Sequence, residues 1–108
     1  FDADGLLVDE VRPDGTIATA SRRLWPMTEA IKSDLAEALC GRMGSVERAM
    51  ASTEALHLRF LDPAPQGGWV DRLAPGGAPL GDFMPATSLY HLAGAIDELA
   101  RFSADKRR

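Results

Sequence analysis

The sequence has little of several features that mark particular classes of protein. Its one cysteine, Cys40, excludes an internal disulfide and a cysteine-rich zinc site. No apolar run approaches the roughly 18 residues of a membrane span, and no basic-then-apolar signal pattern opens the chain. We therefore expect no membrane contact and a cytoplasmic location. Cys40 follows a helical pattern, which favours a small buried hydrophobe over a nucleophile.

Positive charge is also scarce. The 108 residues include 12 Lys or Arg against 16 Asp or Glu, a net charge of −4. Recognition of nucleic acid calls for a basic surface, so we expect no nucleic-acid partner. The basic end at 106–108 is short and is interpreted as a solvated tail. His57 and His91 stand 34 positions apart among scattered carboxylates, which is not the spacing of metal ligands.

What the sequence does have is an internal repeat. The segment GLLVDEVRPDG at 5–15 returns 62 positions later as GGWVDRLAPGG at 67–77. After each copy a proline opens an apolar helical pattern, Pro26 in the first and, at an offset of 59, Pro85 in the second. Such repeats are typical of stacked units that bury their apolar faces only against neighbours, usually three or more. Two copies therefore predict that this chain is part of something larger.

The predicted fold class is all-α. Hydrophobic periodicity predicts helices at about 26–39, at 45–61 and from 85 to a frayed end at 103–108. Pro26 suits the first helical position, because its missing N–H has no intrahelical partner there. Short β-prone runs at 6–11 and 16–17, and again at 69–73 and 79–80, flank turns rich in Pro and Gly and predict two hairpins. We expect these hairpins on one face of a helical stack, at the mouth of a site.

Four segments in one order carry a family resemblance: the repeat at 5–15, RLWPMTEA at 23–30, GWVDR at 68–72 and PATSLYHL at 85–92. In them the chain resembles the C-terminal part of the N-acylglucosamine 2-epimerase superfamily, in particular the branch often described as mannose-6-phosphate isomerase. The resemblance implies that residues 1–108 are the C-terminal part of a single (α/α)6-barrel domain whose upstream part is missing. Several epimerase relatives have polar residues where Leu92-Ala93-Gly94 stand here, which favours the isomerase branch.

The resemblance implies a sugar isomerase or epimerase that moves the proton at C2 of a sugar or sugar phosphate. The expected reaction converts mannose 6-phosphate or mannose into the fructose form, and N-acylglucosamine 2-epimerisation is the alternative. Members of the superfamily are not generally metal-dependent, so no metal and no other cofactor is expected. Histidine suits such a reaction, because its ordinary pKa lies near neutral pH.

The resemblance also assigns residues. His91 matches the C-terminal member of a pair of catalytic histidines, and the other member lies outside this chain. Glu29 and Trp25 match the pocket-lining segment, where the carboxylate would bind sugar hydroxyls and the indole would form an apolar wall. Arg23 is expected to reach the same cavity. Two structural readings stay open, a helix-dipole role for Glu29 in a first turn and plain core packing for Trp25. His57 matches no family motif and is interpreted as structural.

Other features favour structural roles. Asp9 and Asp71 recur in both repeats, as a hydrogen-bonding role in each hairpin predicts, and Trp69 is interpreted as core. An alternative of another class is a non-catalytic helical module that packs against a partner chain. In isolation the chain is expected to be inactive and to self-associate, or to pack on the missing N-terminal part, because its apolar helix faces lack neighbours.

Overall fold

The computed structural model describes residues 1–81 and 84–106, so most of the predicted basic tail lies outside it. The described chain is mostly helical. Its helices are α1 (Leu24–Leu39), α2 (Ser45–Leu56) and α3 (Ala86–Lys106), and a π-helical turn at His57–Leu61 extends α2. Its short strands are β1 (Glu10–Val11), β2 (Ile17–Thr19), β3 (Arg22–Arg23) and β4 (Arg72–Leu73). No described helix is long and apolar enough to cross a membrane.

The sequence repeat is also a repeat of backbone geometry. In the first hairpin Val11 pairs with Ile17, and the N–H of Arg12 donates to the carbonyl of Thr16 at 2.7 Å. The same contacts return 62 positions later. Leu73 bridges to Pro79, and the N–H of Ala74 donates to the carbonyl of Ala78 at 2.8 Å.

A glycine closes each of these turns. Gly15 and Gly77 have φ of 89° and 95°, a left-handed conformation that side chains rarely adopt. Because glycine adopts this conformation without steric cost, both copies of the repeat have glycine at this position of the turn.

A further strand pair, which the sequence pattern does not predict, joins the two repeats. Strand β4 pairs antiparallel with β3, with Arg22 opposite Leu73 and Arg23 opposite Arg72. The N–H of Leu24 continues the ladder by donating to the carbonyl of Asp71 at 3.0 Å. Because β3 runs directly into α1, this pairing ties the second hairpin to the start of the first long helix.

Helix α1 begins at Leu24, two residues before the predicted start, so the placement of Pro26 at the first helical position was wrong. Pro26 is the third helical residue. It is tolerated because the first four N–H groups of a helix have no intrahelical acceptor. Helix α3 begins one residue after Pro85, whose carbonyl accepts the N–H of Ser88 at 3.0 Å.

The predicted second helix changes its winding near its end. After Leu56 the chain forms a π-helical turn, in which the N–H of Asp62 donates to the carbonyl of His57 at 2.8 Å. The carbonyl of Phe60 accepts the N–H of Val70 at 2.6 Å, and the Phe60 ring is fully buried. The wider turn therefore brings the aromatic ring into the core and joins the helix end to the second hairpin.

The core lies where α1 packs on both α2 and α3. Its buried hydrophobic residues are Leu6, Leu24, Met27, Ile31, Leu35, Ala49, Leu56, Phe60 and Leu73. Helix α3 only partly follows its predicted stripe, because Leu89 and Ile96 are more than half exposed. Cys40, expected to be buried, is exposed, because α1 ends at Leu39 and Cys40 follows on the surface.

Candidate active site

The candidate site is built on one carboxylate oxygen. Oε1 of Glu29, on α1, lies 2.8 Å from Nδ1 of His91 on α3 and 2.9 Å from Nζ of Lys32. Glu29 and His91 are 62 positions apart, so the packing of α1 on α3 brings them together. The structure thus places two of the residues singled out from the sequence in direct contact.

Lys32 was not identified from the sequence, although it follows Glu29 at the i,i+3 spacing that puts two residues on one helix face. Lys32 also stands 59 positions before His91, the offset that relates Pro26 to Pro85. The two repeats therefore contribute equivalent positions, and both side chains contact the same oxygen of Glu29.

Glu29 is ionised at neutral pH. The hydrogen bond from Lys32 lowers its pKa most, partial burial opposes this, and the contact with His91 lowers the pKa further. A carboxylate only accepts hydrogen bonds, so Nδ1 of His91 carries the proton in this contact. In the neutral imidazole Nε2 then has a free lone pair, and it has no partner among the described residues. The pair has the form of a general base oriented by a carboxylate.

The helix-dipole role considered for Glu29 is not supported. With α1 starting at Leu24, the first turn holds no acidic residue, and Glu29 falls in the second turn. Its contacts with Lys32 and His91 account for its position instead.

Trp25 lies against the histidine. Its ring centroid is 5.5 Å from that of His91, with the planes inclined at 34°, and its side chain is 42% exposed. That exposure is unlike a core tryptophan. Trp69, by contrast, packs against the core, as the sequence predicted.

Trp25 also lines a cleft of about 390 Å³. The cleft lies between the first hairpin and the β3–β4 pair and is lined by Leu7, Val8, Asp9, Glu10, Thr19, Ser21, Arg23, Trp25, Pro26 and Arg72. Arg23 therefore faces this cleft, where its Nε lies 3.4 Å from Oδ1 of Asp9. The structure does not bring Arg23 into contact with Glu29 or His91.

Each of the two recurring aspartates accepts a hydrogen bond from a serine hydroxyl. Asp9 accepts the hydroxyl of Ser21 at 2.6 Å, and Asp71 accepts the hydroxyl of buried Ser88. These contacts agree with the hydrogen-bonding role expected from their recurrence. His57 is exposed on the π-helical turn, and within the described part of the chain its side chain has no hydrogen bond or ion pair with Glu29 or His91. The described residues contain no group of three or more potential metal ligands.

A histidine held by a carboxylate beside an exposed indole is an arrangement suited to general acid–base chemistry. Comparison with known proteins places the chain more narrowly. The family model described as N-acylglucosamine 2-epimerase (GlcNAc 2-epimerase) matches residues 1–95, and the chain belongs to this family of sugar-converting enzymes. It is also 34% identical over 89 residues to a mannose-6-phosphate isomerase of Rhizobium meliloti (strain 1021). That match covers 80% of this chain but 23% of the relative's length.

Proposed function

We propose that this chain is the C-terminal part of an (α/α)6-barrel sugar isomerase, with His91 as one of its acid–base residues. The observation that supports this proposal most directly is the contact between Nδ1 of His91 and Oε1 of Glu29. Because this contact occupies Nδ1, Nε2 of His91 is the ring nitrogen available to the substrate. The name of the Rhizobium relative favours an aldose–ketose isomerisation of mannose 6-phosphate or mannose over N-acylglucosamine 2-epimerisation.

In the proposed reaction Nε2 of His91 takes the proton from C2 of the open-chain sugar. The C–H electron pair forms the C1–C2 double bond of a cis-enediol, and the former carbonyl oxygen gains a proton from an acid elsewhere in the barrel. Return of a proton to C1, with loss of the O2 hydroxyl proton, gives the ketose. Return to the other face of C2, with loss of the O1 hydroxyl proton, gives the epimer. Glu29 keeps the imidazole oriented and stabilises the imidazolium formed in between. Trp25 supplies an apolar wall for the sugar ring.

The test is a His91→Asn variant of the intact protein that carries this chain, assayed for exchange of the C2 proton of mannose 6-phosphate with deuterated solvent. Loss of a general base lowers rates by roughly 100-fold or more, so exchange should fall by at least that factor while the circular dichroism spectrum is unchanged. His57→Asn is the matched control, because His57 is exposed and, among the described residues, has no hydrogen bond with Glu29 or His91. Unchanged exchange in the His91→Asn variant would remove His91 from the mechanism.

A non-catalytic helical module remains the second proposal. It is favoured by the exposure of Leu89 and Ile96 on α3, an apolar surface suited to helix packing. The same experiment separates the two proposals, because a module without activity predicts no C2 exchange in the wild-type protein either.

A further inference from the structure

The β3–β4 pair sets two positive charges side by side. Arg23 and Arg72 are directly opposite each other in the antiparallel register, and both line the cleft beside Trp25. Side chains at directly opposite positions lie on the same face, with Cβ atoms about 4.5–5.5 Å apart, and like charges there are destabilising. Two guanidinium groups therefore meet in this cleft, and one carboxylate, that of Asp9, pairs with Arg23.

Both acidic side chains that line the cleft already have side-chain partners. Asp9 accepts the hydroxyl of Ser21 and lies 3.4 Å from Nε of Arg23. Glu10 accepts the hydroxyl of Thr19 at 2.8 Å. Within residues 1–81 and 84–106, the guanidinium of Arg72 has neither an ion pair nor a side-chain hydrogen bond. The five N–H donors of Arg72 are therefore uncommitted.

Two comparisons within the chain indicate that the fold does not require this cation. The repeat places Glu10 at the position of Arg72, 62 residues earlier, so the hairpin forms with either charge. Arg22, one residue before Arg23, is buried and has two carboxylate partners, Asp2 at 2.7 Å and Asp4 at 3.2 Å. The structural arginine is thus neutralised, whereas Arg72 is not.

We infer that Arg72, assisted by Arg23, forms a subsite for the phosphate group of a sugar phosphate in the cleft beside Trp25. The planar guanidinium matches phosphate oxygens two at a time, and a dianion between the two arginines relieves their repulsion. Trp25 contacts both the cleft and His91, so a sugar lying along the indole reaches the histidine while its phosphate meets Arg72. This inference rests on the proposed function only in taking the ligand to be a sugar.

Binding of inorganic phosphate to the intact protein tests the subsite without any turnover. Titration calorimetry should show phosphate binding by the wild type, and Arg72→Gln should weaken it by roughly 10-fold or more. Arg72→Lys keeps the charge but loses the planar fork, so it should recover part of the affinity. Arg101→Gln, an exposed arginine on α3, is the matched control and should bind like the wild type. No phosphate binding by the wild type, or equal binding by Arg72→Gln, would overturn the inference.

The second arm measures kcat/KM for mannose 6-phosphate and for mannose. Arg72→Gln should lower the ratio of the two values by roughly 10- to 100-fold, through a rise in KM for the phosphorylated sugar. An unchanged ratio in an active protein contradicts the subsite and leaves the proposed function standing. Absence of turnover of either sugar by the wild type contradicts the proposed function, and the phosphate titration then decides the subsite by itself.

Discussion

Lys32 and His91 occupy equivalent positions of the two repeats and contact the same oxygen, Oε1 of Glu29, at 2.9 Å and 2.8 Å. One repeat supplies an ammonium group and the other an imidazole. The two repeated units thus place two different side chains around one carboxylate. The hydrogen bond from the lysine lowers the pKa of the carboxyl group, and the ionised carboxylate orients the histidine.

Lys32→Met should raise the pKa of Glu29 toward its ordinary value of 4.5, because the hydrogen bond from Lys32 is the largest cause of its lowering. A carboxyl group whose pKa is lowered in the folded state stabilises the fold above its unfolded pKa and loses that contribution as the pH falls through the folded value. The loss of stability in Lys32→Met should therefore be greatest above pH 4.5 and shrink below it. Carbon NMR titration of the Glu29 carboxyl and urea unfolding across this range measure both effects, and Lys32→Arg is the control that keeps a donor.

Arg22→Met should be among the most destabilising single changes. It leaves Asp2 and Asp4 without their cation and the carbonyl of Ala74 without its side-chain donor. Removing one partner of a buried ion pair costs about 3–5 kcal/mol. Urea denaturation of the variant and the wild type should show a loss of that size. Arg101→Met, which loses an exposed pair with Asp97, should cost less than about 1 kcal/mol. Similar costs for the two variants would contradict the structural role of Arg22.

The same ion pair predicts a loss of stability in acid. Burial opposes ionisation of Asp2, but hydrogen bonds from Arg22 and from the N–H groups of Leu6 and Asp4 outweigh it and lower its pKa below 3.8. Stability from Asp2 is therefore present above pH 3.8 and is lost as the pH falls through the lowered value. Asp2→Asn should flatten this part of the pH–stability curve, and an unflattened curve would assign the acid sensitivity to other carboxylates.

A double-mutant cycle should detect the bond between Asp71 and Ser88. It joins the second hairpin to the first turn of α3, and Ser88 is buried. A hydrogen bond to a charged group contributes about 1.5–3 kcal/mol, so Asp71→Ala and Ser88→Ala should be coupled by an energy of that order. The cycle on Asp9 and Ser21 is the matched comparison from the first repeat. Additive single effects would show that the hydroxyl contact contributes nothing.

Phe60→Ala tests the π-helical turn. The ring is fully buried, and removing it should destabilise the protein by about 3–5 kcal/mol in thermal or urea unfolding. Leu58→Ala on the same turn should cost about 0.5 kcal/mol or less, because Leu58 is more than half exposed. Equal costs would mean that the turn does not direct Phe60 into the core.

How far the sequence predicted this fold depends on the range of each contact. The helices follow from apolar spacing over a few residues, and the turns follow from glycines that the repeat keeps at equivalent places, such as Gly15 and Gly77. Helix starts were less accurate. Leu24 enters α1 before Pro26 because the pairing of β3 with β4 orders the backbone there, and no local pattern indicates that pairing.

The residues of the candidate site also differ in how far the sequence predicted them. His91, Glu29, Trp25 and Arg23 were singled out from motifs that resemble one family, and the family model supports that assignment of the chain. Lys32 carried only the weak signal of its spacing from Glu29. Arg72 belongs to the GWVDR motif at 68–72, but nothing in the sequence indicates that this arginine lines a cleft.

By itself, then, the sequence determined the repeat, the helical character and the family, because these depend on residue types within short windows or on matching motifs. Only the tertiary structure decided which side chains meet. The contact of Glu29 with His91 and the opposition of Arg23 to Arg72 join residues about fifty to sixty positions apart. Such contacts depend on how α1 packs on α3 and how β3 pairs with β4. Packing and pairing of this kind minimise the free energy of the whole chain, so no local segment encodes them.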